Sequence, residues 1–182
     1  MKYGLVMFSC LALIAFMGCL SQSEPQPSMQ ENKTQNQSID YTWYSSPLYL
    51  LYYPRSWHLE EPQPGAVIVS SPPDNRTNVV NQFVLEVWAG NESSPQEFEN
   101  YERSLMQNYT VIGKKSIQFK GKDAFAIELE GETDGAAFVY KTIFFRNGEW
   151  VYRLSYAIDK TKVDIYKPIM ETILDKFVIG SY

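Results

Sequence analysis

The sequence predicts an α+β domain in which an antiparallel sheet of about six strands is flanked by helices, as an αβα sandwich. Three observations lead to this prediction. Apolar and polar residues alternate in several short segments, which is typical of strands. Turn signals connect successive strands directly, which indicates antiparallel hairpins. Two further segments carry apolar residues at spacings of three and four, which predicts helices that pack against the sheet.

Four segments show the period of two that strands require. They are residues 48–53, 81–88, 123–132 and 149–158. In the second of them Trp88 lies opposite the apolar face formed by alternate residues, so we expect its ring to be partly exposed.

Two turns connect the later strands. Asn147-Gly148 is a preferred pair for a two-residue hairpin loop, because both loop positions need a positive φ. A second hairpin is expected in "FKGKD", with Gly121 in the left-handed conformation. Together these turns predict a meander of about four strands between Val111 and Ile158.

The first helix has a clear start signal. Ser94 can cap it, Pro95 suits the first helical position, and Glu97 completes a capping box. One apolar stripe follows at helical spacing and consists of Phe98, Tyr101, Leu105 and Tyr109.

The second helix is expected at roughly residues 162–177. Its apolar stripe consists of Ile165, Ile169, Ile173 and Phe177. Pro168 removes a hydrogen bond from the helix interior, so the helix either kinks there or begins near Tyr166.

The N-terminus has the features of an export signal. Lys2 precedes an uncharged apolar stretch that reaches Met17 and is followed by Gly18-Cys19. The run "FMGC" at residues 16–19 resembles the lipobox of lipoprotein signal peptides, so we expect residues 1–18 to be a lipoprotein-type signal peptide and Cys19 to be the lipidation site. An uncleaved helical anchor is the alternative. Both readings place the remaining chain outside the cytoplasm, on the outer face of the cytoplasmic membrane or on the cell surface.

Residues 19–40 are rich in Ser, Gln, Asn, Glu and Pro, which predicts a disordered tether, and residues 41–182 form the folded domain. Five of the nine asparagines lie in Asn-X-Ser/Thr sequons, which suggests glycosylation in an organism that glycosylates exported proteins. The acceptors would be Asn32, Asn36, Asn75, Asn91 and Asn108.

Cysteine and charge exclude several classes of function. The domain after Cys19 contains no cysteine, so it can form no disulfide, zinc-thiolate site or cysteine nucleophile. Without the signal peptide the net charge is minus six, and no basic cluster favours nucleic acid as a partner.

His58 is the chain's single histidine, and Glu60 and Glu61 follow it closely. Imidazole and carboxylates are suitable metal ligands, but one histidine on an irregular segment lacks a second fixed ligand. A hydrolase would need His58 as its base, and no serine stands in a G-x-S-x-G setting. We therefore interpret His58 as part of the scaffold.

Glu128, Glu130 and Glu132 share one face of a predicted strand, which raises the possibility of calcium binding or paired-carboxylate chemistry. The alternative is a solvated face on which Lys141 and Arg153 of neighbouring strands act as cross-strand partners. We favour the solvated face and predict no metal, cofactor or catalytic residue.

The order and spacing of several motifs over residues 48–177 resemble the PsbP-like domains. These motifs are "YYPRSW", "VVNQFVLEVW", "SPQEFENYERSL", "FKGKDAFAIELE", "NGEWVYRLSYAI" and "YKPIMETILDKF". The resemblance implies an antiparallel sheet flanked by helices. It also implies a binding module rather than an enzyme, because the photosystem members are extrinsic binding subunits.

Two functional hypotheses remain open. The first is a membrane-tethered, extracytoplasmic PsbP-like lipoprotein that serves as a non-enzymatic interaction or assembly module of the cell envelope. Its partners would be the membrane, through the lipid anchor, and an envelope protein. The alternative is a protein that binds a small ligand or a calcium, manganese or zinc ion, with a hydrolase as a more distant variant.

Overall fold

The computed structural model describes residues 39–74, 79–105, 108–133 and 135–180. Cys19, the signal peptide, nearly all of the tether, and Asn32, Asn36 and Asn75 lie outside these residues. The described part of the chain contains ten strands and two α-helices. They are β1 (Tyr41–Ser45), β2 (Tyr49–Pro54), β3 (His58–Gln63), β4 (Ala66–Ser70), β5 (Gln82–Ala89), α1 (Pro95–Leu105), β6 (Tyr109–Phe119), β7 (Lys122–Thr133), β8 (Ala136–Asn147), β9 (Trp150–Asp159), α2 (Val163–Lys176) and β10 (Val178–Ile179).

The described strands form two antiparallel sheets. The larger has seven strands in the order β3-β4-β5-β9-β8-β7-β6, which confirms the predicted sheet and its four-strand meander from β6 to β9. The smaller sheet has the order β1-β2-β10. The predicted strand at residues 48–53 therefore belongs to a separate sheet and does not join the main one.

Both faces of the large sheet are covered. Helix α1 packs on one face, where Phe98 stacks on Phe144 with ring centroids 4.9 Å apart. Helix α2 and the small sheet cover the other face, and Phe177 lies in that core with Tyr49 and Tyr152. The central strand β9 is consequently buried on both sides, so its alternating pattern separates two cores rather than core from solvent.

The two predicted hairpins form, but their loops differ. Lys120 and Gly121 are the loop between β6 and β7, and both have positive φ, at 52° and 75°. In the other hairpin Asn147 pairs with Trp150, so the loop is Gly148-Glu149 rather than Asn147-Gly148. There only the first loop position, Gly148, has a positive φ, as in a type II′ turn.

The capping box of α1 is confirmed. The backbone N–H of Ser94 donates to Glu97 Oε2 at 2.9 Å, and the N–H of Glu97 donates back to Ser94 Oγ at 3.3 Å. Hydrogen bonds from the N–H groups of Ser93 and Ser94 lower the pKa of Glu97. The prediction that Tyr109 continues the helical stripe is wrong, because α1 ends at Leu105 and Tyr109 begins β6.

Helix α2 begins at Val163, directly after a turn of 3-10 helix at residues 160–162, so a start near Tyr166 is wrong. Pro168 lies inside the helix. The predicted stripe is only partly buried, because Ile173 is in the core while Ile165 is 60% exposed. Neither helix in the described part of the chain is long and apolar enough to cross a bilayer.

Candidate functional site

The expectation that His58 lies on an irregular segment is wrong, because His58 begins β3, an edge strand of the large sheet. Its side chain is 72% exposed. Its Nε2 is 3.2 Å from Glu60 Oε1. The carboxylate of Glu61 instead accepts a hydrogen bond of 2.8 Å from the hydroxyl of Tyr44. No three potential ligands converge on a metal position among the described residues.

Replacement of His58 by alanine is expected to change the free energy of unfolding by less than about 0.5 kcal/mol, because the side chain is exposed and its pair with Glu60 is screened by water. Urea unfolding of both proteins measures this. Calorimetric titration with zinc should give the same result before and after the substitution, and a zinc signal lost together with His58 would contradict the scaffold interpretation.

The three glutamates of β7 do not form a shared carboxylate site. Glu130 Oε2 accepts from Lys160 Nζ at 2.7 Å. Lys141 is directly opposite Glu128 in the register, as expected, but its amine donates to Glu171 Oε1 at 2.8 Å. These carboxylates lie on the face that α2 covers.

The expectation that Arg153 pairs across the same face is wrong. Arg153 is only 5% exposed and lies beneath α1 on the other side of the sheet. Its Nε and Nη2 each donate to one carboxylate oxygen of Glu102, both at 2.9 Å, and its Nη1 donates to Glu86 at 2.9 Å. We call Arg153, Glu102 and Glu86 the buried ionic cluster.

The charged groups of the buried ionic cluster are hydrogen-bonded to one another and to a neighbouring side chain. Thr142 donates its hydroxyl to Glu102 Oε1 at 3.0 Å and lies within hydrogen-bond distance of Ser155. Burial disfavours the charged guanidinium, but the adjacent Glu102 and Glu86 outweigh it and hold the pKa of Arg153 above its ordinary value. An arginine kept charged in this way joins α1 to the sheet and has no acid–base role.

Trp88 is half-buried beside the cluster, which agrees with its expected partial exposure. Its ring stacks on Tyr101 of α1, with centroids 5.1 Å apart. Burial of the Tyr101 phenol raises its pKa to about 12. The stacked rings of Trp88 and Tyr101 therefore help to hold α1 against the large sheet.

Aromatic and aliphatic side chains also lie on the outer face of the small sheet. Trp43 pairs with Tyr52, and Leu50 pairs with Val178, so these four residues share one side of the sheet. None of the four packs against either core. Trp43 is 62% exposed and Val178 is 50% exposed. We call Trp43, Leu50, Tyr52 and Val178 the aromatic face.

The two edges of the large sheet differ. Both edge strands contain a register shift, but β3 also carries Pro62, Glu60 and Glu61, which discourage pairing with another strand. Edge strand β6 has eleven residues, and no described strand covers its outer edge. A bulge between Val111 and Gly113 leaves Ile112 without a register partner and exposed to solvent.

Two open grooves lie near the hairpin loops, with volumes of about 420 and 660 Å³. Lys122 lines both of them. Lys120 lines the larger groove, and Arg146 and Asp123 line the smaller. Basic side chains outnumber acidic ones in the lining of each groove, so neither groove suits a metal cation.

The described sequons are accessible, because Asn91 and Asn108 are both exposed. The lipidation site and the other three acceptors are predictions about residues outside the described part of the chain.

No family model matches the sequence, and no curated protein matches it either. Solved structures do match. CyanoP, the cyanobacterial PsbP of Synechocystis, aligns over 82% of this chain and 98% of its own, with a TM-score of 0.55 and 12% identity. LpqN of Mycobacterium tuberculosis, which is involved in cell envelope biogenesis, aligns over 81% and 94%, with a TM-score of 0.55 and 14% identity.

A Pseudomonas aeruginosa protein of unknown function, PA94, described as a putative regulator, aligns over 76% of this chain and 96% of its own. Its TM-score is 0.52 and its identity is 14%. The class that these likenesses define is an α+β domain with a large antiparallel sheet and two helices. This chain has the PsbP-like fold, as the sequence motifs implied.

Proposed function

We propose that this protein is a non-enzymatic, extracytoplasmic lipoprotein that acts as an interaction or assembly module of the cell envelope. Cys19 carries the lipid, residues 19–40 form the tether, and the domain binds an envelope protein. Sequons such as Asn91 and Asn108 are available for glycosylation in an organism that carries out this modification.

The observation that carries this proposal is the outer edge of β6. Its backbone N–H and C=O groups have no strand partner among the described residues, and an extended peptide can add to such an edge as a further strand. The bulge places the apolar side chain of Ile112 in solvent beside that edge. Backbone pairing supplies affinity in this mode, and projecting side chains supply selectivity.

The structural likenesses support the envelope setting. LpqN is a protein of cell envelope biogenesis, and CyanoP is a cyanobacterial PsbP. The ionisable residues that suggested chemistry in the sequence also have structural partners, including His58 with Glu60 and Glu130 with Lys160. The metal-binding alternative lacks support of this kind, because no three potential metal ligands lie together among the described residues.

Site-specific photo-crosslinking in intact cells tests the proposal. A photoreactive amino acid at Ile112 should give one discrete adduct with an envelope protein. The matched control is the same group at Ile165, which is also exposed and aliphatic but lies on α2. Equal adducts at both positions, or none at Ile112, would contradict binding at the β6 edge.

A further inference from the structure

We propose that the aromatic face lies against the surface of the membrane to which the chain is tethered. This inference rests on the proposed function in one respect, because it requires the lipid anchor at Cys19. It adds a surface that the anchor does not supply, and it gives the domain one preferred orientation on the bilayer.

The first argument is the chemistry of the aromatic face. Tryptophan and tyrosine are enriched where a membrane meets water, because their rings are apolar on one side and polar on the other. Trp43 and Tyr52 are cross-strand neighbours, and the aliphatic Leu50 and Val178 are paired beside them. Exposed aliphatic and aromatic side chains together suit the boundary between headgroups and acyl chains.

The second argument is charge at the rim. Lys176 Nζ lies 5.6 Å from the ring of Tyr41 and 6.0 Å from the ring of Tyr52, so a cation stands at the border of the aromatic face. The acidic Asp40 nearby is paired with Arg55 at 2.7 Å. The rim therefore presents a positive group that can contact anionic lipid headgroups.

The third argument is position along the chain. Trp43 is on β1, the first strand of the domain, and residues 19–40 precede that strand directly. A coil of that length has an end-to-end distance of roughly 25 Å. Such a tether keeps the effective concentration of the bilayer high at β1, so a weak contact is sufficient.

A lipid surface fits better than a protein or a glycan. A stable protein interface needs about 800 Å² from each partner, and the aromatic face offers four side chains, two of which are only half-exposed. Leu50 and Val178 place aliphatic carbon beside the rings, which suits acyl chains better than the polar groups of a glycan.

The test uses the full lipidated chain in vesicles of phosphatidylcholine and phosphatidylglycerol in which a fraction of the acyl chains is brominated. Bromine quenches tryptophan emission only at close range. We expect quenching of the wild-type protein and loss of most of it in Trp43→Phe. The matched control is Trp88→Phe, which removes a half-buried ring under α1 and should leave the quenching in place.

Each outcome decides the question. If the protein floats with the vesicles but Trp43→Phe is quenched as strongly as the wild type, the face does not touch the membrane, and the tether still stands. If emission changes with protein concentration but not with bromolipid, a second copy covers the face and the inference is wrong. If the chain does not float with the vesicles, the tether itself fails and the inference fails with it.

Discussion

Replacing Arg153 with methionine is expected to lower the free energy of unfolding by about 3–5 kcal/mol, because it leaves the carboxylate of Glu102 buried without its cation. The hydroxyl of Thr142 is the only other described group that donates to Glu102, and one neutral donor does not replace a bidentate guanidinium. Urea unfolding monitored by circular dichroism measures the change.

The matched control is Arg103→Met on α1. Arg103 is exposed and pairs with Glu99 one turn earlier, and Glu99 keeps a second partner in Lys114 at 2.8 Å. The expected loss is about 0.5 kcal/mol or less. Combining Arg153→Met with Glu102→Leu should restore part of the lost stability, since apolar groups of similar volume can replace a buried ion pair. A single-variant loss below about 1 kcal/mol would contradict a desolvated cluster.

Replacing Phe177 with alanine is the second change with a large expected effect, again about 3–5 kcal/mol. The ring is 1% exposed and joins three elements. Its centroid lies 6.1 Å from Tyr49 on the small sheet and 6.3 Å from Phe145 on the large one, and it follows the last residue of α2. The substitution therefore opens a cavity where α2 and both sheets meet.

Chemical denaturation checks this value, and Ile165→Ala is its control. Ile165 belongs to the same predicted stripe but faces water, so its loss should cost no more than about 0.5 kcal/mol. Similar losses from the two variants would show that the end of α2 does not pack between the sheets as described.

Sequence patterns predicted the elements that depend on neighbouring residues. The capping box at Ser94 and the loop at Gly121 are local, because each concerns a few consecutive residues. The loop at Gly148 was predicted with a shift of one residue, since Asn147 and Gly148 suit a turn that the strand register does not use. Tyr109 continued a helical spacing after the helix had ended, because spacing alone does not mark a helix end.

The buried ionic cluster and the aromatic face could not be predicted in the same way. A period of two places Arg153 opposite Tyr152 but does not reveal whether water or a helix covers its side. The aromatic face is assembled from β1, β2 and β10, and only the register brings Trp43, Tyr52 and Val178 to one side. Both features arise from contacts between distant parts of the chain.

The pairing of β2 with β10 also determines the order in which the domain can be completed. A chain emerges from its N-terminus, and the meander from β6 to β9 consists of hairpins that can close as their residues appear. Leu50 can pair with Val178 only after β10 has been synthesised, and β10 follows all the other described strands. The small sheet is therefore finished last, and until then the surface that we propose meets the membrane lacks Val178.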